Sequence, residues 1–346
     1  KTVPKKRIPV ISHNILYDND KICNIKIAIP AIELRVISLY HKYRHYKQEG
    51  IAMLWENLKC QEFPEAVKAS KGVCVIPIGA MEKHGLHLPL GTDILKGSRV
   101  AYEASKLETV CIFPDFTFGD VCIGPHRKAP DGTISPGVEI EMQLLEVLCD
   151  QIAENGFEKI LVVNSHGGNN SWLATFSRNL GMRPHKFVFA HMMAPATAPH
   201  KMGELLKEKG SGAIPELTKE DEALILKYHE EGMRTGHGCM HETALMMGFA
   251  PETVHLERLG IESGSKQYKK NIEDLQAAGI KLASGGWGFQ YPNWYCGDDP
   301  VGCNERIGRA SLRLSSELLA KAYKVFKDDD EIVDMYKASW KNGGWI

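Results

Sequence analysis

Glu82, His84 and Asp93 lie in one stretch of the chain, Pro77–Asp93. Two carboxylates and an imidazole on one short segment are potential ligands for a divalent metal ion. Glu82 and His84 are two residues apart, so in an extended segment their side chains point the same way. The glycines of the stretch and Pro89 turn the chain and can bring Asp93 back toward them. Considered alone, the same residues also fit solvated loop carboxylates and a surface histidine, because short motifs recur by chance.

Two later stretches shift that balance. Val163-Asn-Ser-His-Gly-Gly-Asn-Asn170 places His166 between a strand and a helix, as in the first stretch. The competing reading is a tight glycine turn with an incidental histidine. His237-Gly-Cys-Met-His-Glu-Thr243 puts Glu242 in the first turn of a short helix, where the helix dipole alone would favour a carboxylate. Taken together, Glu82, His84, Asp93, His166 and Glu242 make two imidazoles and three carboxylates on separate strand ends. That set matches a binuclear site for zinc, with manganese or iron as alternatives, one carboxylate bridging. Histidines on two different loops leave a coordination position open, whereas a closed structural site would more often use thiolates. Two divalent cations lower the pKa of a bound water and polarise a carbonyl, which is the chemistry of hydrolysis.

The elements that must position these residues follow from hydrophobic patterning. Gly72–Ile76, Val110–Phe113, Lys159–Val163 and Phe187–Ala190 read as short buried strands. Between them the pattern predicts helices over Trp55–Lys71, from about Ile94 to Leu107, from Pro136 to Asn155-Gly156 and over Asn170–Leu180. Ser135 is the expected N-cap of the third, with Pro136 at its first position. Strand and helix alternating at this spacing predict an α/β fold, a mainly parallel sheet covered on both faces. Each candidate ligand then sits on a loop leaving the carboxyl end of a strand, where open α/β sheets bind ligands.

Residues 200–233 are charged and helix-prone, and cover either the sheet edge or the site; Ala310–Lys327 is a strong amphipathic helix. Residues 1–52 differ in character and read as an N-terminal extension, either an edge strand or oligomerisation arm around Ile27–Ile37, or a non-native leader ahead of Met53. The main domain is expected over 53–327. A polar tail, 328–346, is expected to dock through Tyr336, Trp340 and Trp345.

The 346 residues carry a formal charge of −1 and no sustained basic run, which argues against nucleic acid and anionic membranes as partners. A small neutral or zwitterionic substrate fits better. Nine scattered cysteines without a Cys-x-x-Cys pair argue against a disulfide framework and a thiolate zinc site, and favour the cytoplasm. No apolar run approaches a membrane span, and Lys1–Arg7 is not followed by a signal-peptide core.

Other residues carry weaker signals. Trp287, Trp294 and Tyr295 either wall a substrate pocket or anchor a glycine-rich loop. His87 and His126 lie near the pocket or are simply exposed. His241 makes no His-Glu-x-x-His helix, because Leu245 stands at the second histidine's position. Ser165 beside His166 points to the opposite side of its strand, which argues against a covalent nucleophile.

The three motifs in this order, Glu82-Lys-His84 through Gly-Thr-Asp93, Asn164-Ser-His166-Gly-Gly-Asn169 and His237-Gly-Cys-Met-His-Glu242-Thr, resemble the creatininase (creatinine amidohydrolase) family. Gly132-Thr-Ile-Ser135 resembles a further family segment, and the likeness runs from about Leu54 to Phe326. The resemblance implies a three-layer α/β/α fold, often a hexamer, and two metals held by positions matching Glu82, His84, Asp93 and His166. Asp93 matches the bridging carboxylate, and His237 a histidine that shuttles protons to the leaving group. True creatininases carry Tyr-Glu after the second-loop histidine, and that glutamate binds the second metal. Here the pair is Gly167-Gly168, and Glu242 is the expected replacement. The expected activity is hydrolysis of a cyclic or linear amide. The alternatives are C–C cleavage opening a diketo-inositol ring, and a metal-binding scaffold without turnover.

Overall fold

The central strands β4 (Val73–Ile78) and β6 (Lys159–Asn164) are buried at every position, so both of their faces must be covered. They belong to a five-stranded sheet with β3 (Met53–Leu54), β5 (Cys111–Ile112) and β7 (Val188–Met193). The order is β3-β5-β4-β6-β7, and every neighbouring pair is parallel. The computed structural model describes residues 11–15, 23–27, 52–121, 129–267, 270–282 and 287–341. Stretch 28–37, His126 and Trp345 lie outside them. The chain divides into two units, Lys1–Ile51 and Ala52–Ile346. In the first, β1 (Ile11–Ile15) pairs antiparallel with β2 (Cys23–Ile27).

The helices of the second unit, in chain order, are α1 (Phe63–Ala69), α2 (Thr92–Leu107), α3 (Val138–Glu154) and α4 (Asn169–Leu180). They continue with α5 (His200–Lys209), α6 (Lys219–Glu230), α7 (Met240–Phe249) and α8 (Lys270–Ala277). A single turn, α9 (Trp287–Gln290), precedes α10 (Glu305–Asp328) and α11 (Ile332–Lys341).

Strand alternation sorts the apolar side chains into two layers. Cys74, Ile76, Ile78, Ile160 and Val162 pack against Leu145 and Ile152 of α3 and against Leu173 and Phe176 of α4. Val73, Val75, Leu161 and Val163 pack against Val100 and Ala104 of α2 and against Leu319 and Tyr323 of α10. Each such buried aliphatic or aromatic side chain contributes roughly 1.5–3 kcal/mol. The expected three-layer α/β/α fold is the observed one. Helices α5 and α6 share an apolar cluster with α7 and α10, including Met202, Ile225, Met240 and Ile307.

Several boundaries differ from expectation for local reasons. Trp55–Lys71 is not one helix but two 3-10 turns followed by α1, which Pro64 opens. Ser135 does not cap α3. That helix starts at Val138 behind Gly137, whose φ of 100° suits glycine, and the Ser135 hydroxyl accepts from the Val121 N–H at 3.1 Å. Helix α10 begins at Glu305 because the Asn304 side chain accepts from the N–H groups of Arg306 and Ile307. In the tail, the His185 N–H donates to the Tyr336 hydroxyl at 3.2 Å and Trp340 packs edge-on against Tyr336. Among the described residues no helix is long and apolar enough to cross a membrane.

Candidate metal centre

Because β4 and β6 are parallel neighbours, the loops after them leave the same end of the sheet. The first loop runs from Gly79 into α2 and carries Glu82 and His84, with Asp93 in the first turn of α2. The second runs from Ser165 into α4 and carries His166. A third enters α7, bringing His237 and, in that helix's first turn, Glu242.

Ser165 braces the first two loops. Its hydroxyl lies 2.9 Å from the Ile78 carbonyl and 2.7 Å from the Asp93 carbonyl, so its hydrogen is committed to the backbone and it offers no nucleophile. Gly97 of α2 lies so close that a Cβ there would sit 2.3 Å from the Ser165 Oγ. The first and third loops are joined by buried His87, whose Nε2 lies 2.8 Å from the Gly238 carbonyl and 3.2 Å from the Thr243 hydroxyl.

Glu82, His84, Asp93, His166, Glu242 and His237 come together at this end of the sheet. Their donor atoms form three overlapping groups: Glu82, Asp93 and His166; His84, Asp93 and Glu242; and Glu82, His84 and His237. In the first, the His166 Nδ1 is 2.8 Å from the Glu82 Oε1 and 2.9 Å from the Asp93 Oδ2, all three residues being buried. The His166 Nε2 is 2.7 Å from the Asp120 carbonyl, which fixes its proton there and turns the Nδ1 toward the carboxylates. Both the Glu82 Oε1 and the Asp93 Oδ2 are fully buried, and no group but the His166 Nδ1 faces them within hydrogen-bond distance. Burial would lower the His166 pKa, but Glu82 and Asp93 raise it well above its ordinary value. The two carboxylates thus favour positive charge at this point, and once the Nδ1 proton leaves, three electron-rich atoms surround it. A divalent ion with N and O ligands fits that donor set.

In the second group the His84 Nδ1 faces the Glu82 carbonyl at 3.1 Å, leaving Nε2 to face the Asp93 Oδ1 at 3.3 Å and the Glu242 Oε2 at 3.7 Å. Glu242 is held by the Gly238 N–H, which donates to its Oε2 at 2.6 Å. Gly167 and Gly168 leave no side chain after His166 to reach this position. A Cβ at Gly168 would lie 2.4 Å from the His166 Nε2 and 2.6 Å from the Asp120 carbonyl, breaking the contact that orients the imidazole.

The sequence reading missed one member. The Lys96 Nζ lies 2.5 Å from the Asp93 Oδ1 and 2.5 Å from the Glu242 Oε1, with its side chain 6% exposed. Burial would raise the Asp93 and Glu242 carboxyls, yet Lys96 and then His84 hold both well below the usual carboxylate range. The i+3 spacing of Lys96 from Asp93 on a helix is the one sequence signal for it, and many solvated lysines share that spacing.

His237 stacks on His84, ring centroids 4.0 Å apart, and its Nε2 lies 2.6 Å from the Lys83 carbonyl. Its Nδ1 faces the Glu82 Oε1 at 3.6 Å. Burial and the neighbouring His84 lower its pKa, so the ring is neutral near neutral pH. Trp287 packs edge-on against His237 at 5.3 Å, so it borders the site. Trp294 and Tyr295 are instead buried anchors: the Trp294 carbonyl accepts from the Gly85 N–H at 2.9 Å, and the Tyr295 hydroxyl donates to Asp299 at 2.6 Å. The His241 Nδ1 faces the Cys239 Sγ at 2.9 Å.

The family model described as creatininase, creatinine amidohydrolase, matches residues 56–323. The chain belongs to the creatininase family. Among its relatives, a 2-amino-5-formylamino-6-ribosylaminopyrimidin-4(3H)-one 5'-monophosphate deformylase of Methanobrevibacter smithii is 28% identical over 46% of this chain and 68% of its own length. The creatinine amidohydrolase of Pseudomonas putida is 21% identical over 58% of this chain and 74% of its own. A solved creatinine amidohydrolase (creatininase) structure superposes with a TM-score of 0.59 at 18% identity, covering 80% of this chain and 98% of that one. A structure of creatininase Mn also gives a TM-score of 0.59, at 16% identity, covering 80% of this chain and 100% of that one. At these identities the structures bear on the fold of this creatininase-family chain.

Proposed function

We propose that this creatininase-family protein is a metal-dependent hydrolase that cleaves an amide C–N bond of a small molecule, working in the cytoplasm. The observation that carries this is the convergence of the His166 Nδ1, Glu82 Oε1 and Asp93 Oδ2, three metal-ligating atoms in a buried site where the two carboxylate oxygens face no other group within hydrogen-bond distance. Relatives named as a creatinine amidohydrolase and a deformylase support C–N cleavage over C–C cleavage.

Glu82, Asp93 and His166 would hold one ion, and His84, Asp93 and Glu242 form a second group of like side chains around the shared Asp93. Zinc is the proposed ion, and manganese or iron would suit the same donors. A divalent cation bound there supplies Lewis acidity and lowers the pKa of a bound water. The remaining chemistry belongs to the chain. His237, neutral and with Nε2 against the Lys83 carbonyl, presents Nδ1 toward the reacting centre. It takes a proton from the attacking water at Nδ1 and hands it to the leaving nitrogen as the C–N bond breaks. One water is consumed, its oxygen ending on the carbonyl carbon. Trp287 limits how far the His237 ring can turn.

The test pairs metal analysis with turnover on a panel of cyclic amides, formamides and keto-inositols, before and after chelation and metal add-back. His237→Ala is expected to keep its metal and lose rate by roughly 10²–10⁴-fold, the usual worth of a positioned acid–base group. A His237→Ala protein with full activity would remove that role. A wild-type chain that binds no divalent ion would remove the proposal.

A further inference from the structure

Resting on the reading of a metal-dependent hydrolase, we propose that Lys96 takes the place of the second metal ion: the protein holds one divalent ion at Glu82, Asp93 and His166, and the Lys96 ammonium serves as the fixed cation of the His84, Asp93 and Glu242 group. The two donor groups are chemically alike but differently filled. In the first, the Glu82 Oε1 and Asp93 Oδ2 face only the His166 Nδ1 within hydrogen-bond distance, an imidazole nitrogen that can release its proton and bind a metal. In the second, the Lys96 Nζ lies 2.5 Å from one oxygen of each carboxylate.

Position makes this more than a surface ion pair. Lys96 is one helical turn from Asp93 on α2, so the backbone that places the shared carboxylate also delivers the ammonium to it. Both its partners and its own side chain are buried, leaving no solvent into which the ammonium could withdraw cheaply. An ion bound by the Asp93 Oδ1 at the usual ~2.0–2.2 Å would share that oxygen with the ammonium, and the two cations would repel at close range.

Charge balance points the same way. Glu82, Asp93 and Glu242 carry three negative charges. One divalent ion and one ammonium carry three positive charges, so the centre is neutral; a second divalent ion would leave it at plus two, buried and without a counter-ion among these residues. A fixed ammonium also has a chemical consequence. It can donate a hydrogen bond to a developing oxyanion but cannot expand its coordination, so the substrate would bind through a single metal.

The experiment is metal stoichiometry. The chelator-stripped protein is titrated with Mn2+ or Zn2+, desalted, and assayed for metal per chain, with the EPR spectrum of the Mn2+ form as a second readout. One tightly held ion per chain and an isolated-ion spectrum are expected for the wild type. Lys96→Met is expected to take up a second ion, bound at least roughly tenfold more tightly than any second ion of the wild type, and to give an exchange-coupled spectrum. Lys96→Gln, which keeps a donor for the carboxylates without the charge, is expected to do the same and covers the case in which the methionine variant does not fold. Two ions in the wild type with similar affinity, or one ion in both variants, would overturn the inference and leave the hydrolase reading standing. A wild-type chain without any ion would overturn both.

Discussion

Asp93 and Asp221 are both buried carboxylates that face a long cationic side chain, and they differ in what is left over. Asp221, on α6, is fully engaged. Its Oδ2 accepts from the Thr218 N–H and hydroxyl and from the Arg306 Nε, and its Oδ1 from Asn304 and the Arg306 Nη2. Asp93 gives its Oδ1 to Lys96 and leaves its Oδ2 facing only the ionisable Nδ1 of His166. A satisfied network ties elements together, here α6 to α10. An unsatisfied one retains affinity for something further, and its deficit is what a ligand supplies. The same residue type thus reads as structural in one place and as a site in the other, from the donor inventory alone.

That contrast can be broken or sharpened by substitution. The largest effect is expected at the open carboxylates: Asp93→Asn or Glu82→Gln should lose bound metal and turnover together, by roughly 10³-fold or more. Metal analysis beside steady-state kinetics checks this, and a metal-free Asp93→Asn with wild-type turnover would dissolve the comparison. Next comes Asp221→Asn, expected to lower stability by about 1–2 kcal/mol because the buried carboxylate loses its charge-assisted bonds while the half-exposed Arg306 turns to water, and kcat of the folded protein stays unchanged. Urea unfolding beside kinetics separates the two.

The Asp221 network should also carry a pH signature. Burial alone would raise the Asp221 carboxyl, but Arg306, Thr218 and Asn304 together hold it far below its ordinary value. A depressed folded-state pKa contributes stability that is fully present above the unfolded value, near 4, and is lost as pH falls toward the folded one. The stability gap between wild type and Asp221→Asn should therefore be constant from neutral pH down to about 5 and shrink below about 4. A gap that widens on acidification would contradict the assignment. The smallest effect is expected at the half-exposed Arg313, which pairs with Glu216 and Glu317: Arg313→Ala should cost at most about 1 kcal/mol in the same unfolding assay.

Much of this was legible before any coordinates. Parallel strands, alternation into two layers and loops at one sheet end follow from short apolar runs separated by helix-length segments, and those three loops carry the six residues that meet. What stayed hidden depended on contacts across the fold. Lys96 looks like one more solvated helical lysine until α2 is docked with its first turn against the sheet. Ser135 carries an N-cap signature, yet its hydroxyl is engaged by the Val121 N–H, and the helix starts beyond Gly137. Trp294 and Tyr295 have the composition of a pocket wall but are buried in holding loops, whereas Trp287 packs edge-on against His237.

The closeness of Gly97 to Ser165 acts as a gauge. Neither residue needs any reactivity, but together they set how far helix α2 stands from the loop bearing His166, and hence the bite of the Asp93 and His166 pair. A methyl group at position 97 would wedge these two halves apart by a fraction of an ångström. The spacing of the candidate ligands is therefore adjustable from a position outside the proposed metal centre.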